Sequence, residues 1–144
     1  MRTPLMWGRV QRRHHGGVPP TQVPRPARIV IADDRAPARA GLRAVLAPML
    51  PRAQVVAEAA SGPEAIELVE RSRPRAVVLD VRMPGMDGLE ATRIIKARWP
   101  TVGVVIVTMH PEHQASALAA GADAFVSKLD PPEVLISALE MVMA

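Results

Sequence analysis

The sequence predicts a doubly wound α/β fold, in which five parallel strands alternate with five helices. Short unbroken apolar runs, such as 29–32 and 76–79, are typical of strands that are buried on both faces. The segments between them carry apolar residues at three- and four-residue spacing and end at proline or glycine, as helices do. Alternating strands and helices require right-handed crossovers and therefore a parallel sheet that is covered on both sides.

Each element has its own signal. The apolar runs place strands at 29–32, 54–59, 76–79, 103–107 and 124–127. The spacing of apolar residues predicts a first helix over 38–49, and a capping box at 61–64 opens the second. Asp87 can cap the third helix, Gly121 closes a fourth over 112–120, and Pro131 precedes the last.

The first 27 residues differ in composition from the rest. They hold five prolines, five arginines and no acidic residue, which predicts a disordered basic tail at 1–27 and a folded domain at 28–144. A start codon assigned too far upstream would give the same picture. The folded part keeps 13 basic and 14 acidic residues, so we expect no direct nucleic-acid binding from it.

The composition also excludes several classes of protein. The chain of 144 residues has no cysteine, which excludes disulfides and thiolate metal sites. No apolar run approaches the roughly 20 residues of a membrane helix, and the first residues lack the apolar core of a secretory signal. We therefore expect a cytoplasmic protein that does not act at a membrane.

Polar residues follow four of the five predicted strands. Asp33 and Asp34 follow the first, Asp80 the third, Thr108 the fourth and Lys128 the fifth. The carboxyl ends of parallel strands share one edge of the sheet, where open α/β sheets bind their ligands. Asp80 alone could merely cap a loop, but the convergence of all five residues indicates a site.

The predicted site suits phosphoryl chemistry. Like carboxylates about 4 Å apart repel by about 4 kcal/mol at an effective dielectric near 20, so a site with three acids needs either a proton or a cation. Oxygen ligands without His or Cys favour Mg²⁺, which commonly shares its shell with a phosphate. Lys128 adds positive charge and Thr108 a hydroxyl. A carboxylate in such a pocket can accept a phosphoryl group as an acyl phosphate.

These residues, in this order, resemble the signature of bacterial response-regulator receiver domains over 28–144. The motif around Asp80 reads Leu-Asp-Val-Arg-Met-Pro-Gly-Met-Asp-Gly, and the segments 108–110 and 128–131 are most similar to the NarL/LuxR-type branch. The resemblance implies a flavodoxin-like, CheY-like fold with strand order 2-1-3-4-5. It also implies phosphorylation by a sensor histidine kinase of a two-component system.

The resemblance assigns a role to each residue of the phosphorylation site. Asp80 would be the phosphoacceptor. Asp34 and Asp80 would bind Mg²⁺ directly, Asp33 would help through a water molecule, and the backbone carbonyl of Arg82 would be a further ligand. Lys128 would contact the phosphate.

The resemblance also implies a switch, in which Thr108 and Phe125 form the moving pair. The change would appear on the fourth helix, fifth strand and fifth helix. The last helix carries an apolar arc wider than one sheet face covers, which predicts a homodimer or an output partner there, unless it is simply a Met-rich core helix.

Two further positions bear on the chemistry. Arg82 and His110, each two residues beyond a site residue, flank the phosphate in the family and bear on its lifetime, although Arg82 could simply be solvated. Many receivers place a cis-proline directly after the lysine, whereas Leu129 and Asp130 intervene here. His110 and His113 are expected to be loop residues and not a metal site.

Three functions are compatible with the sequence. The first is a phosphoacceptor switch that acts through protein contacts. The second is the receiver half of a LuxR-type DNA-binding regulator without its helix-turn-helix domain. The third is an aspartate-nucleophile phosphohydrolase, which is disfavoured because such enzymes usually have another acid where Arg82 stands.

Overall fold

The computed structural model describes residues 25–144 and confirms the predicted α/β architecture. Its five strands are β1 (Ala27–Ala32), β2 (Ala53–Ala59), β3 (Ala76–Leu79), β4 (Gly103–Thr108) and β5 (Ala124–Ser127). They form one parallel sheet with the order β2-β1-β3-β4-β5. Because β1 has β2 on one side and β3 on the other, the strand order reverses at β1, where this class of fold opens a crevice at the carboxyl edge.

Five α-helices connect and cover the strands: α1 (Ala36–Leu46), α2 (Gly62–Ser72), α3 (Gly88–Arg98), α4 (Gln114–Ala119) and α5 (Pro132–Met143). The sheet separates two apolar clusters. Helices α2, α3 and α4 pack on one face, and α1 and α5 pack on the other. Alternate residues of β1 supply both clusters, since Val30 belongs to the first and Ile31 to the second, and neither is exposed.

Three of the predicted helix ends are confirmed in detail. The hydroxyl of Ser61 accepts a hydrogen bond from the Glu64 amide at 3.2 Å, while the Glu64 carboxylate accepts one from the Ala60 amide. The carboxylate of Asp87 accepts from the amide of Glu90 at 2.9 Å, which caps α3. Gly121 follows α4 with φ of +105°, a conformation that glycine adopts without strain.

Some predicted boundaries are wrong. The helix expected over 38–49 begins at Ala36 and ends at Leu46, and a 3₁₀ turn covers Ala47–Met49. Pro48 explains the change, because proline has no amide hydrogen and clashes with the preceding helical turn. The helix expected over 112–120 is likewise a 3₁₀ turn at Pro111–His113 followed by α4.

The domain boundary also shifts by one residue. Strand β1 begins at Ala27, whose amide donates to the carbonyl of Arg52 at 2.8 Å, so Ala27 belongs to the sheet and not to the tail. The disorder expected for the tail falls mainly on residues 1–24, which lie outside the described residues. Between residues 25 and 144, no helix has both the length and the apolar character that crossing a bilayer requires.

Candidate functional site

The two acidic strand ends lie side by side at the carboxyl edge of the sheet. Ala32 and Leu79, the last residues of β1 and β3, are register partners. Asp33 and Asp80 follow them directly, and the amide of Asp80 donates to the Ala32 carbonyl at 3.1 Å. The pairing of the strands therefore brings together two carboxylates that are 47 positions apart in the sequence.

Lys128, which follows β5, bridges these two carboxylates. Its ammonium nitrogen lies 2.7 Å from Oδ2 of Asp33 and 2.9 Å from Oδ2 of Asp80. Asp33 is fully buried, whereas Asp80 keeps 9% of its surface exposed. One positive charge therefore faces two negative charges, and the acid that solvent reaches is Asp80.

The pKa of Lys128 is raised by this pairing. Burial by itself lowers the pKa of the ammonium group, but the hydrogen bonds to Asp33 and Asp80 and the charges of the two carboxylates outweigh that effect. The net pKa lies above the ordinary value of 10.5. Lys128 is therefore a cation throughout the neutral range.

Asp34 does not join this cluster. Its side chain is exposed, and it lines an adjacent cleft of about 430 Å³ together with Arg82, Asp87 and His113. The cleft adjoins Asp80 through the following loop, since the Arg82 amide points to Oδ1 of Asp80 at 3.4 Å, a long contact. The Arg82 side chain is exposed.

Thr108 ends β4 as a fully buried residue. Its carbonyl oxygen accepts a hydrogen bond from the Lys128 amide at 2.9 Å, and its hydroxyl oxygen accepts one from the His110 amide at 3.2 Å. Phe125, one strand away in β5, is half-buried against the cluster beneath α2, α3 and α4. The structure therefore links Thr108 to the lysine through the backbone and places Phe125 on the adjacent strand.

The loop after Lys128 closes without a proline next to the lysine. The Asp130 carboxylate accepts from the Ser127 amide at 3.0 Å, and the Asp130 amide donates to the Ser127 carbonyl at the same distance. The Leu129 amide donates to the Ser127 hydroxyl at 3.1 Å. A tight turn that uses the two inserted residues thus fixes the backbone at Lys128.

The predicted metal ligands are of the chemical type that a hard metal ion prefers. Carboxylates and a backbone carbonyl are oxygen ligands, which Mg²⁺ prefers, and no thiol or imidazole stands among the predicted ligands. Over the described range 25–144, no group of three or more acidic or histidine side chains is arranged to hold a metal. Asp33 and Asp80 face Lys128, while Asp34 lines the neighbouring cleft, so the three carboxylates do not converge on one point. The metal-ligand set stays a prediction.

Two residues that support the backbone of the site were not predicted from the sequence. Gly88, the first residue of α3, packs on the site backbone so closely that a Cβ atom would lie 2.0 Å from the Asp80 carbonyl oxygen. Arg39 in α1 donates to the Asp33 carbonyl at 2.8 Å and to the Glu58 carboxylate at 3.2 Å. Gly88 could have been predicted, because it is a glycine directly after the capping residue Asp87. No sequence pattern marked Arg39.

Comparison with known proteins identifies the family. Residues 29–140 match the family model described as "Response regulator receiver domain". The nitrate/nitrite response regulator protein NarL of Escherichia coli (strain K12) is 36% identical over 121 residues, which cover 83% of this chain and 56% of that protein. The crystal structure of a LuxR-family two-component response regulator from Aurantimonas sp. SI85-9A1 has 38% identity and a TM-score of 0.76, covering 82% of this chain and 85% of that one.

One relative is an enzyme. A protein-glutamate methylesterase/protein-glutamine glutaminase of Myxococcus xanthus (strain DK1622) is 43% identical over 111 residues, which make up 75% of this chain but 31% of that protein. More generally, the chain spans about half the length of the regulatory proteins that it matches. With the sheet order, the paired acids, the lysine and the family match taken together, the chain belongs to the response-regulator receiver domains of two-component systems, in the LuxR-type branch.

Proposed function

We propose that this chain is a phosphoacceptor switch, in which Asp80 takes a phosphoryl group from a sensor histidine kinase in a Mg²⁺-dependent reaction. The observation that supports it best is the arrangement at Asp80. This carboxylate is mostly buried, keeps 9% of its surface exposed, and accepts a hydrogen bond from the Lys128 ammonium group at 2.9 Å. A nucleophile held against a fixed positive charge fits the transfer of an anionic group.

The proposed reaction moves a phosphoryl group from a histidine nitrogen to an oxygen of Asp80. A carboxylate oxygen of Asp80 attacks the phosphorus of a phosphohistidine, so that an O–P bond forms and the P–N bond breaks. The electron pair of that bond stays on the imidazole nitrogen, which takes up a proton. Lys128 offsets the charge on the phosphoryl oxygens. Asp34, Asp80 and the Arg82 carbonyl would hold Mg²⁺, with Asp33 helping through a water molecule, and the ion would supply further charge neutralisation.

The phosphoryl group is then lost from Asp80 by hydrolysis at the same site. A water molecule attacks the phosphorus, the O–P bond to Asp80 breaks, and the free carboxylate returns with inorganic phosphate as the product. Arg82 is exposed beside this path, and His110 follows Thr108 by two residues. We propose that Arg82 and His110 set the lifetime of the acyl phosphate by controlling the access of water to the phosphorus. We propose self-phosphorylation and self-dephosphorylation as the reactions of this domain, with no turnover of an external substrate.

The signal would pass through Thr108 and Phe125. The Thr108 hydroxyl would turn to donate to the phosphate, a charge-assisted hydrogen bond worth about 1.5–3 kcal/mol, and Phe125 would move toward the vacated space. A few kcal/mol shift a two-state population substantially. The affected surface is α4, β5 and α5.

Helix α5 offers apolar surface for a homodimer or an output partner. Met141 is 71% exposed and Val134 is 39% exposed, so the sheet does not cover either side chain. Sedimentation at high protein concentration tests the dimer, and a monomer both with and without phosphorylation would count against it. We place the protein in the cytoplasm, where a histidine kinase can reach it.

A second candidate is the receiver half of a LuxR-type transcription regulator. It is favoured by the relatives, which are about twice as long as the matched segment and include proteins described as transcriptional regulators. A helix-turn-helix coding segment directly downstream of this one would support it. The receiver chemistry would be the same in both cases.

The experiment for the first proposal is intact-mass spectrometry after incubation with acetyl phosphate. We expect one phosphoryl adduct on the wild type with Mg²⁺, and none with EDTA or on Asp80→Asn. Asp123→Asn, which changes a carboxylate that is paired with Lys96 and precedes β5 at the opposite edge of the sheet, is the matched control and should keep the adduct. An adduct of equal yield on Asp80→Asn would refute the assignment.

A further inference from the structure

A second charged cavity lies at the opposite edge of the sheet from Asp80. It has a volume of about 620 Å³, which falls within the range of small-molecule pockets. Arginine side chains dominate its lining: Arg25, Arg28, Arg52, Arg73 and Arg75. The amino ends of β1, β2 and β3 meet here, and three of these arginines stand at or next to the starts of those strands.

The positive charge in this cavity is not balanced by acids. Glu140 is the one acidic residue among the lining residues within 25–144, and it is ion-paired with Arg52. Arg28 and Arg75 donate to the carbonyls of Ser72 and Met143, at the carboxyl ends of α2 and α5. Each helix end contributes about half a negative charge, which leaves the five guanidinium groups well in excess.

Capping of helix ends explains only part of this arrangement. A guanidinium group carries five N–H donors, and one bond to a carbonyl leaves most of them for another acceptor. Arg73 is held in place as well, since its Nε donates to the Glu70 carbonyl at 3.0 Å and its guanidinium carbon lies 5.6 Å from the centre of the Trp99 ring. Planar guanidinium forks match phosphate oxygens in pairs.

We propose that this arginine cavity binds a small anion that carries two or more phosphate groups. A single phosphate would neutralise only part of the charge, whereas a linear oligophosphate carries enough negative charge to match it. A nucleic-acid strand is usually also held by aromatic side chains on which its bases stack, and none stands among the described residues that line this open cavity. The site is independent of Asp80, because it occupies the other edge of the sheet.

Calorimetric titration of the full 144-residue chain with inorganic tripolyphosphate tests this site. The titration is done in EDTA, with sulfate as the comparison anion at the same ionic strength. We expect tripolyphosphate to bind at least about tenfold more tightly than sulfate, because several guanidinium groups engage one ligand. Arg52→Gln should weaken binding several-fold, and Glu140→Gln should tighten it by removing the competing carboxylate.

Arg71→Gln is the matched control. Arg71 is 67% exposed and paired with Glu67 on α2, so the substitution removes the same charge from a paired, exposed arginine outside the cavity. It should leave the affinity unchanged. Equal weakening by Arg52→Gln and Arg71→Gln, or equal affinity for sulfate and tripolyphosphate, would overturn the proposal. Binding of a single-stranded oligonucleotide without binding of tripolyphosphate would also overturn it, in favour of a nucleic-acid surface.

The fluorescence of Trp99 tests independently whether the anion binds in the arginine cavity. In a Trp7→Phe background it is the sole tryptophan, and Arg73 contacts its ring. Ligand in the cavity should change its emission with the same dissociation constant as the calorimetry. Calorimetric binding with no change in Trp99 emission would place the anion elsewhere and contradict the proposal.

Discussion

The ammonium nitrogen of Lys128 lies 2.9 Å from Oδ2 of Asp80, although the two residues are 48 positions apart in the sequence. The strand order produces this contact, because β3 and β5 flank β4 and both end at the same edge of the sheet. A charged pair at this depth is stabilised chiefly by its hydrogen bonds, and removing one partner leaves the other poorly solvated. The contact therefore matters both for the stability of the fold and for the proposed phosphoryl transfer.

Removal of Lys128 should slow phosphorylation. In Lys128→Gln we expect the rate with acetyl phosphate to fall by about 10²-fold, the usual effect of losing one electrostatic contact to the reacting group. The rate is measured from the growth of the phosphoryl adduct in intact-mass spectra. Lys96→Gln is the control, since Lys96 is the other lysine of the chain and is paired with Asp123 at 3.0 Å, far from Asp80. Similar losses in both variants would argue against a specific role.

Stability should also depend on Lys128 at high pH. Its pKa in the folded protein is raised above 10.5, so its contribution to stability is complete below that value and is lost as the pH rises through the folded-state pKa. The chain has no tyrosine, no cysteine and only two lysines, so few other groups titrate there. Urea unfolding at about pH 9 and about pH 12 measures the loss. Lys128→Gln should show a smaller drop than the wild type, and an equal drop would contradict the pairing.

Gly88 should be intolerant of any side chain. A Cβ atom there would lie 2.0 Å from the Asp80 carbonyl oxygen, and the backbone of a buried strand end has little room to move. For Gly88→Ala we expect a loss of about 1–3 kcal/mol in unfolding free energy, together with impaired phosphorylation. The comparison is Gly41→Ala in α1, where no atom lies within 4 Å of the new Cβ. That variant should gain about 0.5–1 kcal/mol. Equal stability of the two variants would show that the close approach to Asp80 is not restrictive.

The Thr108 hydroxyl should be needed for signalling but not for phosphorylation. Thr108→Ala should still acquire the adduct, while hydrogen exchange in α4, β5 and α5 should no longer respond to it. Thr108→Ser keeps a hydroxyl and should restore the response. A wild-type response in Thr108→Ala would disprove the proposed coupling.

Much of the fold could be predicted because its signals are local. The buried runs 29–32 and 76–79, the Ser61 cap and the Asp87 cap each follow from neighbouring residues. The contacts of Arg39 with Asp33 and Glu58 could not be predicted, because they join a helix to two strand ends through side chains that no short pattern marks. Pro48 was visible in the sequence, but the choice between ending α1 and kinking it depends on packing.

The sequence predicted that these polar residues lie at one edge of the sheet, but it did not predict how their side chains are arranged. Placing Asp33, Asp34, Asp80 and Lys128 at one edge required only the alternation of strands and helices. Which acids meet the lysine depends on side-chain geometry, and the structure pairs Lys128 with Asp33 and Asp80 while Asp34 faces the cleft. The arginine cavity at the other edge was hidden for the same reason, since its members are spread along the chain and the net charge of 28–144 is near zero.

Reduction of the phosphorylated protein with borohydride tests the central claim most directly. Borohydride converts an aspartyl phosphate to homoserine, and peptide mapping then locates the converted residue. We expect homoserine at position 80 after treatment with acetyl phosphate and Mg²⁺, with Asp33, Asp34 and Asp87 unchanged. Homoserine at any of those three positions, or a phosphorylated protein with aspartate still intact at position 80, would contradict it.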